Sequence, residues 1–277
     1  PVGVTPVVYG VREVKIDSDQ VDYSTTLLVD GNIELSSYSS QAGTILDYSG
    51  AGNAIVVNST QADDLTTSPQ LAQAVTFRGL HIKAYNGASA VFVGATTLRD
   101  VQFYDGSVSG VTLGTGLFFG EAAYGATVEG FDIYGCAIGI HFNDYCDLMT
   151  IRNCWIGGNT GAGILVEGPT YNIENNNIES NSGIPIQIVY RLGNVSELRA
   201  GRISGNRFGD EAIPLVPNSR DIELTRVPGA TGAITGVVIE NNKFFSNPVT
   251  PKEVPILINS PVSLLNIRGN IKSDSYT

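Results

Sequence analysis

The 277 residues predict an all-β solenoid of short parallel strands, about three to a coil of 21–23 residues, and three observations carry that expectation. A six-residue pattern recurs along the chain, period-2 alternation stands where long helical stripes would be, and turn formers replace charge. Only 16% of the residues are charged, while 42% are hydrophobic and 32 are glycine; ordinary globular domains carry about 25% charged residues. The chain is too apolar for disorder.

The recurring pattern is an apolar residue, any residue, then Gly, Asn or Asp, with an apolar residue three positions later. It reads Phe77-Arg78-Gly79-Leu80-His81-Ile82, Leu98-Arg99-Asp100-Val101-Gln102-Phe103, Val128-Glu129-Gly130-Phe131-Asp132-Ile133 and Ile151-Arg152-Asn153-Cys154-Trp155-Ile156. It continues as Ile173-Glu174-Asn175-Asn176-Asn177-Ile178, Ile203-Ser204-Gly205-Asn206-Arg207-Phe208 and Ile239-Glu240-Asn241-Asn242-Lys243-Phe244, and ends in the shortened Ile267-Arg268-Gly269-Asn270. Successive starts lie 21, 30, 23, 22, 30, 36 and 28 residues apart, a coil of 21–23 with insertions.

Each element follows in order. The first apolar residue of every unit is expected inside, stacked on its equivalents. The third is always a type that tolerates the left-handed backbone region, so a sharp bend between two strands is expected there. In the last four units an asparagine follows the bend, Asn176, Asn206, Asn242 and Asn270. At a strand spacing of about 4.8 Å these amides are expected to hydrogen-bond to one another and to bend carbonyls. In the first four units Leu80, Val101, Phe131 and Cys154 take that place, so the inner stack should change from apolar to amide. The asparagine count agrees, 4 in residues 1–140 and 17 in residues 141–277. Further strands are expected over 137–142, 163–166, 184–188, 212–216 and 254–258. The whole makes one parallel β-helix domain, with an irregular lead-in over 1–24 and lateral loops at 61–72, 104–124, 189–199 and 217–233.

These residues resemble the right-handed parallel β-helix of the pectate-lyase-like type, and within it the shaft of a bacteriophage tailspike. The segment Gly43-Thr44-Ile45-Leu46-Asp47-Tyr48-Ser49-Gly50 with Asn53-Ala54-Ile55 resembles an early coil of such spikes, and the eight units carry the likeness on to the end of the chain. The resemblance implies a homotrimer on the virion tail, assembled in the host cytoplasm, that binds and usually cleaves bacterial capsule, O-antigen or exopolysaccharide. No catalytic signature carries over. No head-binding region or terminal trimerisation domain is recognisable and the chain starts at Pro1, so a fragment of a longer spike is expected.

A net charge of −11 argues against nucleic acid or an anionic membrane surface as partner. No run approaches the roughly 20 apolar residues of a membrane span. Cys136, Cys146 and Cys154 have no zinc-like spacing and are expected as reduced thiols. With no phosphate loop, nucleotide fingerprint, Gly-x-Ser-x-Gly elbow or His-Glu-x-x-His, no cofactor is expected, and neither a nucleotide enzyme nor a serine hydrolase.

Chemistry in a solenoid is read down columns of equivalent positions. The second motif position, Arg78, Arg99, Glu129, Arg152, Glu174, Ser204, Glu240 and Arg268, alternates in sign and reads foremost as an ion-pair ladder. The outward positions after the bend read His81 and Lys83, Gln102 and Tyr104, Asp132 and Tyr134, Trp155 and Gly157, Asn177 and Glu179, Arg207 and Gly209, then Lys243 and Phe245. They point to a sugar surface of Trp155, Tyr134, Tyr104, Asn177 and the adjoining Arg152 and Glu174, with packing of Trp155 under a loop or in an interface as the alternative. Asp132 and Glu179 are the first choice for acid and base, because cleavage of a glycosidic bond needs one carboxyl on each side of it. His141, Asp144 and Glu167, joined by Asp147, are the second choice; Asp144 and Asp147 lack an EF-hand spacing, so no metal is expected. A polysaccharide depolymerase, hydrolase before lyase, is the expected function, with a non-catalytic adhesin or a structural tail shaft as the alternatives.

Overall fold

The computed structural model describes residues 12–16, 19–30, 33–37, 43–58, 74–94, 98–120, 123–144, 146–168, 170–190, 200–209, 220–229, 234–246 and 254–273. They wind into a parallel β-helix of three long sheets. The first sheet runs from Arg12–Ile16 and Ile33–Ser37 through Val75–Arg78, Val101–Tyr104, Thr127–Glu129, Met149–Arg152, Tyr171–Glu174, Gly201–Ser204 and Val237–Glu240 to Asn266–Arg268. The second runs from Gln20–Tyr23 and Thr44–Tyr48 through Leu80–Lys83, Ser107–Ser109, Asp132–Tyr134, Trp155–Gly157, Asn177–Glu179, Arg207–Gly209 and Lys243–Phe244 to Ile271–Lys272. The third begins at Leu27–Asp30 and includes Ser89–Val93, Thr115–Phe119, Ile138–Phe142, Ile164–Val166, Ile186–Tyr190, Ile222–Arg226 and Ile256–Asn259. One strand of each sheet makes a coil.

Alternation in the sequence decides which side chains go inside. Phe77, Phe103, Val128, Ile151, Ile173, Ile203, Ile239 and Ile267 stand in register on the first sheet. All but Ile267, which belongs to the last described coil, are fully buried. The bend that follows takes a left-handed backbone in each of these coils, at Gly79, Asp105, Gly130, Asn153, Asn175, Gly205, Asn241 and Gly269.

The asparagine column forms as expected. Asn176 Nδ2 donates to the Ile151 carbonyl at 3.1 Å and to Asn206 Oδ1 at 3.0 Å, while the backbone N–H of Asn176 donates to that same oxygen. Asn206 repeats the set with Ile173 and Asn242, and Asn242 with Ile203 and Asn270. Amides thereby satisfy backbone groups that a buried turn would leave unpaired. A second amide pair, unforeseen from the motif, closes the next corner: Asn159 Nδ2 donates to Asn181 Oδ1 at 2.8 Å, and Asn181 Nδ2 to the Ile156 carbonyl.

Four expectations about the coils are corrected. Phe103, not Leu98, follows Phe77 in the inner column, and Gly106, not Val101, holds the place between Leu80 and Phe131. Leu98–Arg99 instead pairs with Ala123–Tyr124 in a separate two-stranded sheet, ahead of a left-handed Asp100. The segment 104–124 is therefore coil rather than lateral loop, since it contains Ser107–Ser109 and Thr115–Phe119. Within 1–24, Arg12–Ile16 and Gln20–Tyr23 already belong to the first coil. Within 217–233, Ile222–Arg226 is the third-sheet strand, paired on both sides. The rival segment 212–216 lies outside the described residues; its Pro214 lacks the N–H that a central strand donates. Of the loop expected over 189–199, Val189 and Tyr190 end the strand Ile186–Tyr190, and 191–199, like 61–72, lies outside the described residues.

All three cysteines are free and buried, and burial pushes each thiol up to about 12. Among the described residues no helix is long and apolar enough to cross a membrane.

Candidate functional site

Because inward positions on the second sheet are apolar, the alternate positions project outward as two parallel columns. One reads His81, Ser107, Asp132, Trp155, Asn177, Arg207, Lys243; the other reads Lys83, Ser109, Tyr134, Gly157, Glu179, Gly209. The structure thus brings Asp132, Tyr134, Trp155, Asn177 and Glu179 onto one face.

Glycine shapes the centre of that face. A Cβ on Gly157 would lie 3.1 Å from Cζ2 of Trp155, so the missing side chain lets the indole lean across the strand. The indole N–H then donates to Glu179 Oε1 at 2.6 Å, and the ring centroid sits 5.7 Å from that of Tyr134. On the other side Arg207 Nη1 lies 3.4 Å from Glu179 Oε2 and donates to Asn177 Oδ1 at 3.0 Å, its guanidinium 5.2 Å from the Phe245 ring centroid. Trp155 is half-buried and Tyr134 exposed, which leaves aromatic faces for sugar C–H groups. One strand before Trp155, burial lifts the Asp132 carboxyl above the usual aspartate range, and the charge of His81 partly offsets it.

Other anticipated residues lie elsewhere. Tyr104 stands on the first sheet between Arg78 and Glu129 in register, with the Arg78 guanidinium 4.7 Å from its ring centroid, and Gln102 is on the same sheet. Arg152 and Glu174 continue that column, where Arg152 Nη2 donates to Glu129 Oε2 at 2.7 Å and Arg268 Nε to Glu240 Oε2 at 2.8 Å. These contacts are the ladder that alternating signs lead one to expect; exposed pairs contribute at most about 1 kcal/mol each.

The second-choice cluster is brought together in part. His141 projects outward from the third sheet, edge-on to Phe118, with Nε2 3.3 Å from Oε2 of the buried Glu167. Asp144 sits in the following turn, and Asp147 bonds the Leu148 N–H at the separate corner it shares with Tyr124. No group of three or more potential metal ligands forms among the described residues. An open cleft of about 420 Å³ between residues 226–229 and 258–261 offers no carboxylate.

Arg207, Gly157 and Gly209 already stood in the expected outward columns, but their parts in the site were not foreseen. Their signal was the register itself, because both glycines fall beside a long side chain in the neighbouring column.

Residues 44–196 match the family model described as "Right handed beta helix region", more than half of the sequence. The chain belongs to the right-handed β-helix family. Among solved structures it is similar to the Dettilon tailspike protein, at 12% identity and a TM-score of 0.58 over 91% of this chain and 54% of that one. It is also similar to the catalytic unit of a thermostable GH87 α-1,3-glucanase from Streptomyces thermodiastaticus, at 14% identity and a TM-score of 0.56 over 96% and 61%. DFA-IIIase from Arthrobacter chlorophenolicus in complex with GF2 gives 12% identity and a TM-score of 0.51 over 91% and 82%. The chain thus spans little more than half of the first two. At such identities the likeness is one of fold. No curated protein matches the sequence significantly.

Proposed function

We propose that the outer face of the second sheet binds a bacterial surface polysaccharide and cleaves it by acid–base hydrolysis, as part of a trimeric phage tailspike. One observation carries the reading. The only tryptophan of the chain is laid over Gly157 and fixed by Glu179, beside Tyr134 and next in register to Asp132, so stacking surface and two carboxyls share one face. The company of a tailspike and a glucanase among the neighbours in fold supports it.

In this reading Asp132, whose carboxyl desolvation raises above the usual aspartate range, gives its proton to the glycosidic oxygen, and Glu179 takes one from the attacking water. Two coils and two positions separate their Cα atoms, about 12 Å from strand geometry. Inward-leaning side chains then approach the roughly 6.5–9.5 Å carboxyl spacing of an inverting enzyme. Since the protonated form of Asp132 is the acid, turnover falls as pH rises through its raised pKa.

Asp132→Asn and Glu179→Gln are expected to abolish new reducing ends on a panel of polysaccharides while binding is kept. Unchanged cleavage by both variants transfers the chemistry to His141 and Glu167, and absorbance of unsaturated uronates in place of simple reducing ends marks a lyase. A second reading is an adhesin without turnover. It is favoured by Glu179 itself, which has the Trp155 indole on one oxygen and Arg207 beside the other, as a binding platform would. Retained glycan by a wild-type chain that releases no new ends is its outcome.

A further inference from the structure

Earlier on the same face His81 and Lys83, Ser107 and Ser109, Asp132 and Tyr134 stand in register as three successive pairs. Within this grid Nδ1 of His81 lies 2.7 Å from the Ser107 hydroxyl. The imidazole is closely seated. Gly43 has a φ of +70°, and a Cβ there would come within 2.5 Å of Nε2 and 2.6 Å of Cδ2 of the ring. Asp132 flanks Ser107 on the side away from His81, one strand spacing of about 4.8 Å on.

We propose that Ser107 and His81 form an acyl-transfer pair that removes small ester groups, of the O-acetyl class, from the sugars lying on this face. A nucleophile needs a base within hydrogen-bonding reach and a base held in place, and both conditions are met. The familiar serine motif places its nucleophile on a strand–turn–helix elbow, whereas these partners are 26 residues apart and meet across two coils. No local spacing in the sequence announces them.

With the ring proton on Nε2, Nδ1 accepts the Ser107 proton as Oγ attacks the ester carbonyl and a new C–O bond forms. The bond to the sugar oxygen then breaks, and that oxygen leaves as a hydroxyl with the proton held by His81. Water attacks the acyl-serine with His81 again as base, which releases acetate and a proton and restores the hydroxyl. Lys83 projects from the same strand two residues after His81, in register with Ser109. Ser107 is only 9% exposed.

The glycan part of this proposal rests on the function proposed above; the ester chemistry does not, and the two are separated by using an aryl ester beside a polysaccharide. The full chain is given 4-nitrophenyl acetate and, separately, an O-acetylated bacterial polysaccharide whose binding is scored by co-sedimentation. Expected are nitrophenol and acetate release that Ser107→Ala and His81→Gln each lower about 100-fold or more. A fluorophosphonate should add its mass to the peptide containing Ser107. That last measurement uses the unaltered chain, so misfolding of a variant does not blunt it. No release above the His81→Gln level, an unchanged rate in Ser107→Ala, or a label on another serine overturns the pair. Aryl ester cleaved while a bound, acetylated polysaccharide keeps its acetate overturns the substrate class alone. Aryl ester cleaved with no polysaccharide bound upholds the pair and counts against the proposed glycan face.

Discussion

The corner between the first and second sheets is built in two ways along one molecule. In the earlier coils it is filled by Leu80, by the Phe131 ring occupying the space beside Gly106, and by Phe103 at 5.8 Å from that ring. In the later coils it is a chain of amides from Asn176 to Asn270. Both arrangements accompany the same left-handed bend and the same parallel register. The bend therefore dictates a space and a set of backbone groups, and either dispersion or hydrogen bonding can complete it. Cys154 is the junction: its N–H already donates to Asn176 Oδ1 at 2.9 Å, while its Sγ lies 3.5 Å from the Val128 carbonyl, as an asparagine amide would.

The largest effect is expected in the amide region. Asn206→Leu leaves the Asn176 N–H and the Ile173 carbonyl without their partners, and at about 1–3 kcal/mol for each buried group the loss should reach about 2–6 kcal/mol by chemical denaturation. A cost below about 1 kcal/mol would break the comparison. Phe131→Asn carries the amide into the apolar region, where Gly106 offers it no side chain, and should cost about 3–5 kcal/mol through the lost ring. Cys154→Asn, at the junction, should stay within about 1 kcal/mol of the native chain, a gained hydrogen bond offsetting slight overpacking. The smallest effect concerns the thiols at that junction and in the coils just before it. With all three pushed up to about 12 by burial, none should react with a disulfide reagent at pH 8 in the folded chain, and all three should react once it is unfolded.

Much of this fold was legible because a solenoid repeats its physics. The inner column and the amide ladder followed from one motif. The error at Leu98 has a definite cause: apolar–any–bend describes every strand that enters a left-handed turn, and Asp100 is such a turn at a different corner. Phe103-Tyr104-Asp105-Gly106-Ser107-Val108 fits the same pattern and is the true unit. That slip also carried Tyr104 onto the wrong sheet. Asp132, Tyr134, Trp155, Asn177 and Glu179 were placed together from alternation alone. The indole's lean over Gly157 and the His81–Ser107 contact depend on side-chain rotamers, which no period in the sequence encodes.

The central claim is that the second sheet presents the glycan-binding face, and the chain carries its own reporter there. Trp155 is the sole tryptophan, so its emission during titration with oligosaccharides from the target polysaccharide reads that face alone. The account predicts a saturable change in intensity or wavelength, with the same midpoint as binding measured by calorimetry. Calorimetric binding with Trp155 emission unchanged through saturation would contradict it.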